Sequence, residues 1–158
     1  MKKGKVLLLG VICLLLVGCG TKSKNKEESK ETTLINNFEE VSTKNEFIFL
    51  DNKGAYPDDK EVVDAKKAIL DDVVVEMVIY KDNKSAEKAQ DKQIKDYKEE
   101  ANESAKENKK EGKNSYKYIL EYDDFYIVSS RIDNTVVFCR TVNQNKKKVD
   151  AILKELKY

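Results

Sequence analysis

Two arginines are the side chains of this sequence best suited to hold a ligand. Arg131 and Arg140 are the only arginines among the 30 basic residues, and they lie in a stretch rich in tyrosine, phenylalanine and valine. A guanidinium binds carboxylate or phosphate through paired donors, and a tyrosine adds a flat apolar wall that ends in a hydroxyl. The sequence therefore offers a candidate face for an anionic or peptide-like ligand, made of Arg131, Arg140, Tyr116, Tyr118, Ser129 and Phe138.

A structural role explains the same residues. Aromatic side chains on strands usually pack in the core, and an arginine can lay its aliphatic stem across them while its head reaches a carboxylate. Glu76 and Asp133 are two carboxylates that such a head could reach. The pattern favours this structural role, and the position of the covering helices must decide between the two interpretations.

Nucleophilic catalysis lacks the residues it needs. The sequence contains no histidine, which excludes the Ser-His-Asp triad, Cys-His pairs and histidine-rich zinc sites. Cys139 alternates with Val137 and Thr141 on a predicted strand, a position typical of a buried and inert thiol. We therefore predict no catalytic residue and no cofactor.

Paired acidic residues raise the question of carboxylate catalysis or calcium binding. The pairs are Asp58-Asp59, Asp71-Asp72 and Asp123-Asp124. Each lies at the boundary of a predicted element, where aspartate commonly caps a helix or forms a turn. None follows the spacing of a calcium-binding loop, so we predict no metal site.

The elements that must position these residues follow from hydrophobic periodicity and turn signals. Helices are predicted at about 33–45, 57–69, 85–110 and from 144 onward, and strands at 47–50, 73–80, 116–122, 125–132 and 135–142. The order α-β-α-β-α-β-β-β-α predicts an α+β fold. We expect two layers, with a mostly antiparallel sheet and the helices on one face.

Two tight turns set the register of the last three strands. Asp123-Asp124 and Asp133-Asn134 each fit a two-residue hairpin turn, which determines which side chains share a face. The six candidate residues then lie on one face with Leu120 and Ile127, while Val137 and Cys139 lie on the other. The pattern leaves open which face the helices cover.

The N-terminus has the form of an export signal. Lys2, Lys3 and Lys5 precede an apolar run at 6–17, which at 12 residues is too short to span a bilayer. The run closes with Leu16-Val17-Gly18-Cys19, which resembles the bacterial lipobox at all four positions. This resemblance implies that Cys19 receives a diacylglyceryl group and becomes the N-terminus after cleavage.

The lipobox defines the expected organisation and location of the chain. Residues 1–18 form a lipoprotein signal peptide, residues 19–32 the lipidated cysteine and a polar tether, and residues 33–158 a single α+β domain. The expected location is the outer face of a cell membrane, held by lipid on Cys19. Lysine and asparagine, whose codons are A/T-rich, are abundant beside two arginines, which favours a Gram-positive source.

Size and charge narrow the function. Cleavage removes three of the 30 basic residues and leaves 27 against 29 acidic ones, so no nucleic-acid partner is expected. The 140 remaining residues are too few for a two-lobed solute receptor. We expect a non-enzymatic binding or accessory domain of the cell envelope, with an envelope protein or an anionic or peptide-like ligand as partner. The alternatives are a carboxylate-dependent wall hydrolase and a lipoprotein whose signal peptide is the active product.

Overall fold

In the computed structural model, which describes residues 29–158, seven strands form one antiparallel sheet. The strands are β1 (Ile48–Asp51), β2 (Val62–Leu70), β3 (Val73–Tyr80), β4 (Lys106–Gly112), β5 (Ser115–Tyr122), β6 (Phe125–Ile132) and β7 (Thr135–Val142), in the spatial order β1-β2-β3-β7-β6-β5-β4. The helices of this range are α1 (Lys30–Lys44), α2 (Asn83–Glu100) and α3 (Lys146–Leu156). The predicted α+β class and antiparallel sheet are confirmed.

The N-terminal predictions fall mostly outside the described residues. The signal peptide, Cys19 and the tether up to residue 28 are not described, so they stay predictions. Within 29–158, α1 begins before its predicted cap, because Ser29 caps it and its Oγ accepts a hydrogen bond from the Thr32 amide at 3.2 Å. No helix in this range combines the length and apolar composition needed to cross a membrane.

The predicted helix at 57–69 is wrong, because β2 occupies most of this segment. Val62 and Ala65 pack on one face of the sheet and Ala68 on the other. A register shift between Val62 and Asp64 lets residues three apart share a face, so a strand buried on both sides acquires a helix-like spacing of apolar residues. The overlooked signal was the turn, since Asp71-Asp72 joins β2 to β3 just as Asp123-Asp124 joins β5 to β6.

The predicted long helix at 85–110 is also wrong at its C-terminal end. The helix stops at Glu100, and residues 106–112 form the edge strand β4. Every residue of β4 is exposed, and its sequence of lysine, glutamate and asparagine shows no alternation. Charged residues are common on edge strands because they discourage pairing with other chains, and they hide the strand from hydrophobic patterns.

The helices lie on both faces of the sheet, which corrects the expected two-layer arrangement. One core joins α1 and α3 to strand residues that include Val75, Val128 and Val137. On the opposite face, Ala86 of α2 packs with Val78 and Val136, and Ile94 of α2 packs with Tyr118, Leu120 and Ile127. The reason is that the central strands are apolar on both sides, and each side must be covered.

The predicted register of the last three strands is confirmed. Tyr116 pairs with Arg131, and Ser129 pairs with both Tyr118 and Phe138. Both connecting turns are two residues long and begin with an aspartate in the left-handed region, at φ 49° for Asp123 and 50° for Asp133. Aspartate tolerates this conformation better than most residues, so these turns hold the register firmly.

Candidate functional site

Helix α2 crosses the candidate ligand face and divides it. Tyr118 and Ser129 are each 1% exposed, because they lie under the helix. Arg131 contacts the N-terminal half of α2 through Gln90, whereas Arg140 contacts its last residue, Glu100. The six predicted residues therefore share a sheet face but do not form one open surface.

Arg140 lies at the C-terminal end of α2, here called the closed end, where its charge is paired although 36% of its side chain is exposed. Its guanidinium forms an ion pair with Glu100 at 2.8 Å and lies over the rings of Phe125 and Tyr97, at 4.8 and 5.5 Å from their centroids. Tyr97 in turn stacks on Phe138 with 5.3 Å between ring centroids. The positive charge also stabilises a carboxylate at the C-terminus of a helix, where a negative charge is unfavourable. Arg140 therefore joins the end of α2 to the sheet.

Arg131 lies in a different environment, set by a buried amide. Its Nε donates to Oε1 of Gln90 at 3.1 Å, and Gln90 is 1% exposed. The Gln90 Nε2 donates to the carbonyl oxygens of Tyr116 and Ser129, at 3.1 and 3.2 Å. The Ser129 hydroxyl donates to Oε1 of Gln93 at 3.0 Å. This network orients the guanidinium plane through neutral groups alone.

The charge of Arg131 is not paired. Within residues 29–158 no carboxylate forms an ion pair with it, and its two terminal amino groups have no hydrogen-bond acceptor. Asp133, two residues along the chain, pairs instead with Lys30 at 3.0 Å. The hydrogen bond from Lys30 lowers the pKa of Asp133, and the charge of Arg131 adds only a minor contribution. Glu76 is the second carboxylate that the sequence suggested as an arginine partner, and it accepts hydrogen bonds from Tyr56 and Asn52 instead.

The unpaired arginine lines a polar groove of about 360 Å³, here called the arginine groove. Helix α2 contributes Asn83, Glu87 and Asp91, the β4–β5 hairpin contributes residues 111–116, and β6 contributes Arg131. The groove thus combines the oriented guanidinium of Arg131 and the ammonium group of Lys113 with three carboxylates, here called the acidic wall: Glu87, Asp91 and Glu111. Such an arrangement can hold a carboxylate at Arg131 and an ammonium group along the acidic wall.

Sequence reasoning missed the residues that α2 contributes. Gln90 lies four residues from both Ala86 and Ile94, which makes it a polar residue in the middle of the apolar stripe. A buried polar side chain must find hydrogen-bond partners, so a glutamine in such a stripe signals a specific network. The partners themselves come from β5 and β6 and are invisible to local pattern.

The remaining candidates are structural. Cys139 is fully buried, and burial raises the pKa of its thiol to about 12, which confirms the predicted buried cysteine. Asp71 and Asp123 occupy hairpin turns, and Asp59 accepts a hydrogen bond from the Glu61 amide at 2.9 Å. In the described part of the chain, no three carboxylate or thiol side chains come together as metal ligands would.

Comparisons with known protein families, with curated proteins and with solved structures found no match to this chain. The function is therefore inferred from the geometry of the site.

Proposed function

We propose that this chain is a membrane-anchored, extracytoplasmic binding domain that holds a small peptide-like ligand through Arg131 and catalyses no reaction. The observation that carries the proposal is the unpaired guanidinium of Arg131, oriented by the buried Gln90 at the wall of the arginine groove. An arginine with a purely structural role commonly has a carboxylate partner, as Arg140 has in Glu100.

The orientation of Arg131 favours a carboxylate ligand. Its Nε is occupied by Gln90, which leaves the two terminal amino groups to bind the two oxygens of one carboxylate. The hydrogen bonds of Gln90 to two strand carbonyls hold the guanidinium in place before any ligand arrives. A group that is already oriented loses less conformational entropy on binding, so the same contact yields more affinity.

The acidic wall selects the class of ligand. The three carboxylates of this wall outnumber the two cations of the groove, Arg131 and Lys113, so the groove disfavours a ligand that carries only negative charge. A molecule with one carboxylate and one ammonium group, such as an amino acid or a short peptide, satisfies both Arg131 and the acidic wall. A groove of about 360 Å³ is at the small end of the range for ligand sites, which also favours a small peptide.

The position of the first turn of α1 supports the anchored part of the proposal. Lys30 bonds Asp133, and the Asp133 amide donates at 2.9 Å to the carbonyl of Asn114, which lines the arginine groove. A polar tether of about ten residues has a reach on the order of 20 Å. A lipid on Cys19 would therefore hold the groove close to the membrane surface, where envelope peptides are available.

Binding is tested by titrating the purified protein with short peptides and amino acids, using calorimetry. Replacing Arg131 with glutamine should weaken binding about 10- to 100-fold, because a charge-assisted pair contributes about 1.5–3 kcal/mol. The matched control is Arg140→Gln, which removes the other arginine of the same face and should leave affinity unchanged. Equal affinity in wild type and Arg131→Gln would overturn the proposal, as would hydrolysis of wall polymers that depends on one carboxylate.

The anchor is tested separately by metabolic labelling with a palmitate analogue. The wild-type protein should incorporate the label and remain with the membrane fraction. A Cys19→Ser variant should do neither, and a labelled Cys19→Ser protein would contradict the assignment of the lipid to this residue.

A further inference from the structure

A second pocket lies on the opposite face of the β4–β5 hairpin, and three lysines line it. The pocket has a volume of about 440 Å³. Lys110 is on β4, Lys117 is on β5, and Lys157 directly follows α3. Ser115, Ser130 and Asn108 add neutral polar groups. Glu111 also borders the pocket, but it pairs with Tyr116 across the strands, so its side chain lies on the face of the arginine groove. We call this the lysine pocket.

Two lysines of this pocket lie in an unfavourable position relative to each other. Lys110 and Lys117 are direct partners across the antiparallel strands β4 and β5. Like charges in this position destabilise a sheet. Among residues 29–158, none of the three lysines forms an ion pair with a carboxylate side chain, whereas Lys109 on the same edge strand pairs with Glu107 at 2.7 Å.

Lys117 is the most constrained of the three. Its neighbour on the other side is the buried Ser130, and its ammonium group donates at 3.3 Å to a main-chain oxygen of Tyr158, the last residue of the sequence. Burial lowers the pKa of Lys117; Asp150 acts in the opposite direction, and Lys110 lowers the pKa further. Lys117 therefore holds its charge in a partly buried position, directly beside the charge of Lys110.

We infer that the lysine pocket binds a phosphate group, which lies between the ammonium groups of Lys110, Lys117 and Lys157. An anion at this position relieves the repulsion between Lys110 and Lys117, and the serine hydroxyls and Asn108 can donate to the remaining phosphate oxygens. Lysine is a suitable ligand because a compact ammonium group acts as a point charge toward phosphate.

The phosphate has two possible sources, the head group of an anionic phospholipid and a soluble phosphate ester. Gly112 and Ser115 of the pocket flank the hairpin turn that bonds Asp133, and Asp133 bonds Lys30, so the pocket lies at the same end of the domain as the first turn of α1. That position favours the lipid source, since basic groups near an anchored terminus face anionic head groups. The inference does not depend on the ligand proposed for the arginine groove.

The test is amine labelling of the full-length protein in detergent, with the rate at each lysine read by mass spectrometry. One arm adds inorganic phosphate, and the other adds phosphatidylglycerol vesicles, with sodium chloride at equal ionic strength and phosphatidylcholine vesicles as their blanks. At ten times the dissociation constant, labelling of Lys117 should slow about tenfold, because only the unbound fraction reacts. Protection in both arms, or by vesicles alone, supports the lipid source. Protection by phosphate alone supports the soluble one.

Variants separate the pocket from general charge effects. Lys110→Gln should abolish the protection of Lys117, because it removes one of the three ammonium groups. Lys109→Gln is the control, since Lys109 is the adjacent residue on the same exposed strand but points to Glu107 on the other face. The inference is overturned if neither phosphate nor anionic vesicles protect Lys117 beyond their blanks, or if Lys109→Gln removes protection as fully as Lys110→Gln.

Discussion

Arg131 and Arg140 lie on the same face of one sheet, but α2 gives them opposite environments. At the C-terminal end of the helix, Arg140 has a carboxylate partner and lies against two aromatic rings. Near the N-terminal half, Arg131 is held by the neutral amide of Gln90, and its terminal amino groups have no partner in residues 29–158. A carboxylate neutralises a guanidinium, whereas an amide orients it and leaves its charge available.

One helix, α2, thus covers part of the sheet face that carries both arginines and leaves another part accessible. The closed end combines an ion pair with stacked aromatic side chains, and it anchors the helix. The other end uses a buried glutamine, which satisfies two strand carbonyls and presents one oxygen to the arginine. Because the glutamine carries no charge, this end can accept a charged ligand.

The largest expected effect comes from loosening α2, which creates both environments. Ile94 packs against Tyr118, Leu120 and Ile127 beneath the middle of the helix. Ile94→Ala should lower the free energy of unfolding by about 3 kcal/mol, measured by urea denaturation, because it leaves a cavity. The control Ile48→Ala removes an isoleucine that is 65% exposed and should change stability by less than about 0.5 kcal/mol. A similar loss for both variants would contradict the role given to α2.

A smaller effect is expected from removing the amide that orients Arg131. Gln90→Leu should lower the free energy of unfolding by about 2 kcal/mol, since two strand carbonyls and the partly buried Nε of Arg131 lose a partner. It should also weaken peptide binding to the arginine groove. If Gln90→Leu retained full affinity, the arginine would not need the amide for its orientation, and the contrast between the two ends would lose its basis.

A smaller loss of stability is expected at the closed end of α2, because the ion pair between Arg140 and Glu100 is partly exposed. Arg140→Gln removes the pair with Glu100 and the contacts to Phe125 and Tyr97, and we expect a loss of about 1 kcal/mol in stability. Part of this loss should disappear at high salt, where exposed pairs are screened. An equal loss at all salt concentrations would show that packing, and not charge, makes the whole contribution.

The smallest expected effect concerns the repulsion in the lysine pocket, on the other side of the hairpin from Arg131. Because the pKa of Lys117 is lower in the folded chain, its protonated form weakens the fold at neutral pH, and the penalty disappears as pH rises toward about 10.4. Lys117→Met should therefore raise stability by about 0.5 kcal/mol at neutral pH, and the gain should shrink near pH 10.

The same denaturation series includes a control for this effect. Lys109 is exposed and paired with Glu107, so Lys109→Met should give no gain in stability at any pH. A gain in both variants would mean that added apolar surface, and not relief of repulsion, explains the result for Lys117→Met.

Local signals predicted the register of β5, β6 and β7 correctly. Each connecting turn has two residues and begins with an aspartate that tolerates a positive φ, so the pairing of Tyr116 with Arg131 follows from counting. The same reasoning failed for β2 because the register shift near Val63 changed the period of its apolar residues. Applied to Asp71-Asp72, the turn signal would have predicted the β2–β3 hairpin.

The antiparallel order of the last three strands, the shared face of the two arginines and the absence of histidine chemistry can be read from the amino-acid sequence, because they depend on neighbouring residues and on composition. The packing of α2 on that face and the position of Gln90 beside Arg131 become known only from the folded domain. Both faces of the central strands are apolar, so local pattern favours neither one for a given helix. The position of α2 follows from the packing of the whole domain. It determines that Arg140 is paired with a carboxylate and that Arg131 remains available to a ligand.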